Sequence, residues 1–130
     1  MLWKNKYYSS GLTKKPWGDF KKFGSPWGVY GKILNIKSGY STSFKYYASK
    51  DELMCCIAGN VLIYSPNSDE FTEIQNNENK TIIRLSPGES ICIERNTPYK
   101  IVAIEDSQLV ELVYGSRRQE EKPIKYEESK

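Results

Sequence analysis

The sequence predicts an all-β fold of the jelly-roll or closed-barrel kind, built as one domain. Three observations point there. Short runs rich in β-branched and aromatic residues recur down the chain. Clusters of Gly, Pro, Asn and Ser separate them. No segment sustains a 3.6-residue apolar period long enough for a major helix. At 130 residues, with 38% hydrophobic and 27% charged side chains, the chain can bury a core of its own without staples. Many short strands joined by Gly and Pro turns favour a sandwich or a barrel.

In chain order, residues 1–28 read as an aromatic-rich N-terminal arm. Trp3, Tyr7, Tyr8, Trp17, Phe20, Phe23 and Trp27 crowd into it, and Pro-Trp-Gly occurs at Pro16 and again at Pro26. Rings at this density need burial, so the arm is expected to pack on the barrel or on a partner subunit. Base stacking on the rings between lysines and a sugar-stacking platform are the alternatives. Residues 29–115 are the barrel, with strands expected at 29–37, 41–47, 53–58, 60–65, 80–85, 90–94, 99–104 and 108–114. Lys37-Ser-Gly, Ala58-Gly-Asn, Ser86-Pro-Gly, Asn96-Thr-Pro and Glu105-Asp-Ser supply the turns. The polar stretch 66–79 reads as a loop. Residues 116–130 form a charged C-terminal extension.

The net charge of +3 is unevenly placed: residues 1–24 hold six lysines and one acid, whereas residues 25–115 hold eight basic and eleven acidic side chains. Lysines on an arm are ordinarily solvated, so no nucleic-acid partner is expected. No apolar run reaches the roughly 18–20 residues that span a bilayer, and no signal-peptide core opens the chain. The expectation is a cytoplasmic protein without a membrane partner. The three cysteines, Cys55, Cys56 and Cys92, do not suggest a disulfide framework. Cys55 and Cys56 are neighbours on one expected strand, so their thiols face opposite sides and do not converge on one ion.

Two segments carry a paired spacing. From Gly39 to Gly59 the chain reads G-YSTSF-K-Y-Y-ASKD-E-LMCCIA-G, and from Gly88 to Ala103 it reads G-ESICI-E-R-N-TP-Y-KIV-A. These resemble the two motifs of the cupin superfamily, G-x5-H-x-H-x4-E-x6-G and G-x5-P-x-G-x2-H-x3-N. The resemblance implies a jelly-roll β-barrel with a pocket at Lys45, Tyr47, Glu52 and Tyr99, the positions in register with the superfamily's metal ligands. The chain has no histidine, and of those four positions Glu52 alone keeps the superfamily's residue type. Lysine is a poor ligand that repels a cation, and tyrosine binds metals only as a phenolate, costly near neutral pH. No metal and no other cofactor are expected.

Further segments are similar to the cupin domain of type II mannose-6-phosphate isomerases, which also occurs fused to mannose-1-phosphate guanylyltransferases. They are Lys15-Pro-Trp-Gly-Asp-Phe, Lys32-Ile-Leu-Asn-Ile-Lys-Ser-Gly, Leu109-Val-Glu-Leu-Val-Tyr-Gly and the stretch ending at Lys125. The resemblance covers roughly residues 14–125. It implies a sugar or sugar-phosphate-like ligand in the barrel and a homodimer or other homo-oligomer. In place of the ion, the Lys45 ammonium is expected beside Glu52, with Tyr47 and Tyr99 hydrogen-bonding the pair and Lys100, Arg84 and Arg95 near the pocket strands. A non-catalytic binding or structural module is the expected role. The alternative is a sugar-phosphate isomerase or nucleotide-sugar epimerase using Glu52 as base, Tyr47 or Tyr99 as acid and Lys45.

Overall fold

The computed structural model describes residues 1–6, 11–66, 80–114 and 124–127. Eleven strands and no helix form among them: β1 (Thr13–Lys15), β2 (Gly18–Gly24), β3 (Tyr30–Ile36), β4 (Phe44–Tyr46), β5 (Asp51–Ala58), β6 (Val61–Pro66), β7 (Lys80–Leu85), β8 (Ser90–Ile93), β9 (Lys100–Ala103), β10 (Ser107–Tyr114) and β11 (Ile124–Glu127). The eight strands expected from the sequence are β3 to β10. No helix among the described residues is long and apolar enough to cross a membrane. Tyr7 and Tyr8, most of the polar loop and most of the charged extension lie outside the described residues.

One layer is a six-stranded sheet in the order β1-β2-β3-β10-β5-β8. The facing layer is the sheet β7-β6-β9, continued by the pair β4-β11 through isolated bridges from Ser41 to Val102 and from Lys45 to Tyr99. All named strand pairs are antiparallel, as hairpin-rich β architecture requires. Three strands have no counterpart in the hydrophobic pattern. Of these, β2 runs in register with β3 from Gly18↔Ile36 to Gly24↔Tyr30. Its Lys21-Lys22 pair and bounding glycines hide it, because a sheet-border strand carries its ladder on backbone groups rather than apolar side chains. Likewise, β11 sets Lys125 opposite Lys45 in a charged stretch.

Alternation sorts the side chains. Met54 and Cys56 of β5, Leu109 of β10 and Leu34 and Ile36 of β3 point inward, where they meet Val61, Ile63, Ile101 and Ala103 of the other layer. Each such side chain contributes about 1.5–3 kcal/mol on leaving water. Trp17 of the arm closes this cluster and packs near Phe20, centroids 6.4 Å apart.

The interior then changes character along its length. Two residues before Met54, the next inward position on β5 is Glu52; two residues after Leu109, the next on β10 is Glu111. Both carboxyls are 4% exposed. The barrel therefore has an apolar half and a polar half, and the polar half holds the motif residues.

Candidate functional site

The two motifs zip onto each other. Gly39 donates its N–H to the carbonyl of Ala103, and Thr42 to that of Ile101, both at 2.9 Å. Lys45 and Tyr99 exchange both backbone hydrogen bonds, at 3.1 and 2.9 Å. At the other ends Gly88 donates to Cys56 at 2.9 Å. Gly59 adopts φ +83°, and a Cβ there would collide with the Ser107 hydroxyl and the Asp106 carbonyl. Asn96 stands where the second motif has a glycine. Among the described residues it is the non-glycine residue with positive φ, 64°, a conformation asparagine tolerates better than most. Its N–H reaches the Tyr47 carbonyl at 2.7 Å, which fixes the loop over the first motif.

This zipper brings together Lys45, Tyr47, Glu52 and Tyr99. Tyr99, 2% exposed, donates its hydroxyl to Glu52 Oε1 at 2.8 Å. The Lys45 ammonium lies over the Tyr99 ring, 4.8 Å from its centroid. Two more residues join them that motif spacing does not mark. Lys50 is 2% exposed with its ammonium 3.7 Å from the centroid of the Tyr47 ring. Glu111 lies within hydrogen-bonding reach of Glu52. Strand parity carries the signal for both, since Lys50 is two residues before Glu52 and Glu111 two after the core residue Leu109. Arg95 lies outside, where it clasps Asp51 at 3.0 Å on the rim, and Arg84 is exposed.

A hydrogen bond between two carboxyls needs a proton on one of them. Burial pushes Glu52 well above the usual glutamate range, the Glu111 charge and the hydrogen bond to Glu111 adding to it, against Lys50 and Tyr99. Burial acts the same way on Glu111, but the hydrogen bond from Glu52 and the charges of Lys32, Lys50 and Lys45 outweigh it, so Glu111 sits below its ordinary value. The opposite directions assign the proton of such a bond to Glu52 and the negative charge to Glu111. Glu52 Oε2 and Glu111 Oε1 are the two buried oxygens without a hydrogen-bond partner among the described residues, and a proton shared between them would satisfy both. The expected neutralisation of Glu52 is therefore divided: Tyr99 and the Glu111 proton bond act on it directly, and lysine charge acts through space. Burial raises the Tyr99 hydroxyl well above its usual value, so it stays a donor. Lys45 is pulled down to about 8, chiefly by burial and further by Lys32 and Lys50, with Glu52 and Glu111 opposing.

Above the pair opens a cavity of about 160 Å³. Lys15, Lys32 and Lys45 bring ammonium groups to its lining, Glu111, Tyr47 and Tyr99 face it, and Trp17 and Phe20 of the arm form one wall. The Lys32 and Lys15 ammoniums stand 4.9 and 5.9 Å from the Phe20 centroid. A wider groove, about 410 Å³, lies beside Asp19, Asn35 and Gln108, whose side chains hydrogen-bond one another at 2.8 and 3.1 Å. Asp19, Asn35 and Gln108 already pair with one another there, and it lacks the charge concentration of the first cavity.

The donor set does not fit the divalent ion that this motif positions elsewhere. Two adjacent carboxyls and two phenols face ammonium groups, which repel a cation. Among the described residues no three of His, Cys, Asp and Glu converge in metal-binding geometry. Cys55, Cys56 and Cys92 are partly buried, buried and exposed respectively, with no common focus.

No protein-family model matches the chain, and no curated protein sequence matches it significantly. Solved structures do. An oxalate decarboxylase from Bacillus subtilis superposes with TM-score 0.74 over 90% of this chain and 30% of its own, at 11% identity. The capsular polysaccharide assembling protein CapF from Staphylococcus aureus gives 0.70 over 94% and 33%, at 15% identity. An oxalate decarboxylase from Lactobacillus farciminis gives 0.65 over 83% and 31%, at 17% identity. The chain spans about a third of the length of each. Identities this low speak for the fold, and together with the two zipped motifs they settle it: this chain folds as a cupin.

Proposed function

We propose that this cupin binds a small anion of the sugar-phosphate class at the polar mouth of its barrel, without a metal and without turnover by a metal-assisted route. One observation carries the reading. Four lysines, Lys15, Lys32, Lys45 and Lys50, stand at the cavity or around its two buried carboxyls, Glu52 and Glu111. Positive charge in excess inside a half-enclosed, low-dielectric site favours an anionic guest. The Trp17 and Phe20 wall suits the apolar face of a sugar ring. The sugar rests on the resemblance of residues 14–125 to mannose-6-phosphate isomerase cupins; a capsular polysaccharide assembling protein among the structural neighbours is consistent with it.

Calorimetric titration with mannose 6-phosphate, mannose and inorganic phosphate at pH 7 tests this. Mannose 6-phosphate is expected to bind best and mannose worst, with Lys32→Met costing about tenfold in affinity, or about 1.4 kcal/mol. Equal binding of mannose and its phosphate, or indifference to Lys32→Met, overturns it. The isomerase or epimerase reading is weakened by Glu52, which is held by Tyr99 and Glu111 and does not line the cavity. Turnover of mannose 6-phosphate in the presence of a chelator would restore it, with Glu111 as the base.

A second role, homo-oligomeric assembly, is favoured by the outer face of the six-stranded sheet. Leu53 stands opposite Leu112 on one side and Cys92 on the other, and Val110 opposite Cys55. Leu53, Ile57 and Leu112 are exposed there, a contiguous apolar face that a second copy would cover. Sizing of wild type against Leu53→Glu is expected to show a shift to smaller species in the variant. An unchanged monomer in both removes this role.

A further inference from the structure

We infer that Lys45 is a carbonyl-capturing amine, placed in the cavity to form a Schiff base with an anionic aldehyde or ketone. The inference goes beyond binding and rests on the anion reading only for the charge of its ligand.

Geometry carries it. Lys45 lines the cavity together with Glu111, while its ammonium rests on the face of Tyr99. The groups facing it come from the neighbouring elements: Lys32 of β3, Glu52 of β5, Glu111 of β10, Tyr47 just after β4, Lys50 just before β5 and Tyr99 just before β9. An amine becomes a nucleophile at neutral pH when it is desolvated or set beside other cations. Lys45 has both, and its value of about 8 against an ordinary 10.5 leaves roughly 300-fold more free amine near pH 7. Ion pairing with a lone carboxylate would push the other way. Glu52 and Glu111 do push that way, and burial outweighs them.

The chemistry balances with the groups present. The Lys45 nitrogen lone pair adds to the carbonyl carbon, the C=O pair moves to oxygen, and a proton passes from nitrogen to that oxygen. The C–O bond of the carbinolamine then breaks, and its hydroxyl leaves as water on taking a proton from the carboxyl pair through Glu111. The nitrogen is left doubly bonded to carbon and protonated. One amine, one carbonyl and one proton give one iminium and one water, with no redox change, and water reprotonates the pair.

The test is reductive trapping on the intact wild-type chain. Glycolaldehyde phosphate and neutral glycolaldehyde are each supplied with cyanoborohydride, and the modified peptides are mapped. Accessibility alone ranks half-buried Lys45 below exposed lysines such as Lys14 and Lys37. The expectation is the reverse: Lys45 carries about tenfold more adduct than any other lysine, and trapping rises through about pH 8. Inorganic phosphate should suppress trapping of the phosphorylated aldehyde, and Lys45→Arg should lose the adduct while keeping the charge. Preferential trapping of Lys45 by both aldehydes alike, without phosphate competition, supports the amine and contradicts the anion reading. Phosphate binding with adducts spread over surface lysines by exposure leaves the anion reading standing and overturns this inference.

Discussion

Glu52 and Glu111 are chemically the same residue, yet the fold shifts their acidities in opposite directions. The consequence is an asymmetry between two otherwise equivalent substitutions. Glu52→Gln keeps a neutral side chain that accepts from Tyr99 and donates to Glu111, so it is expected to change stability at pH 7 by less than about 1 kcal/mol. Glu111→Gln removes the negative charge among Lys32, Lys45 and Lys50 and is expected to cost about 3 kcal/mol. Urea unfolding of both variants checks this, and the reverse order refutes the shared proton.

The pH dependence follows with its sign. Glu52 has a raised value in the fold, so the native state holds a proton that the unfolded chain releases above the ordinary value of 4.5. Its contribution to stability is full below that value and is lost as pH rises through the folded value. Glu111 is lowered, so its contribution is present above the ordinary value and is lost as pH falls. The difference between wild type and Glu52→Gln, measured from acid pH upward, should therefore show the alkaline decline disappear in the variant. A decline of equal slope in both places the proton elsewhere.

At the scale of elements, the arm is part of the barrel's sheet rather than an accessory to it. Along its length β2 pairs with β3, and Trp17 is 6% exposed in the core. Trp17→Ala is expected to cost about 3–5 kcal/mol, from lost burial and the cavity left behind. Thermal or urea unfolding measures it, and a cost below about 1 kcal/mol would mean the arm packs only loosely. These border elements mark where sequence reading stops. Strands β3 to β10 are legible because apolar and aromatic residues recur within them between turn signals, and the four pocket positions because motif spacing fixes them. By contrast β2 and β11 carry lysines, glycines and glutamates and are held by backbone ladders, which leave no apolar period. Lys50 and Glu111 escape because motif spacing marks only the positions where a metal would be held, whereas a charge can face inward anywhere that strand parity points it there. Beside the expected pair of Lys45 and Glu52 stands a second buried carboxyl, Glu111, which is in the chain but not in the motif.

Over the whole molecule, the barrel divides into an apolar half that holds the fold and a polar half whose motif positions carry amine, carboxyl and phenol side chains. The central claim is that these amines, and not a coordinated cation, create the binding site. Titrating mannose 6-phosphate into wild type and into a Lys32→Met/Lys45→Met double variant, each with and without EDTA, tests it most directly. Affinity that is unchanged by EDTA and falls at least about tenfold in the double variant is the predicted result. Affinity abolished by EDTA, or retained when both lysines are gone, would contradict it.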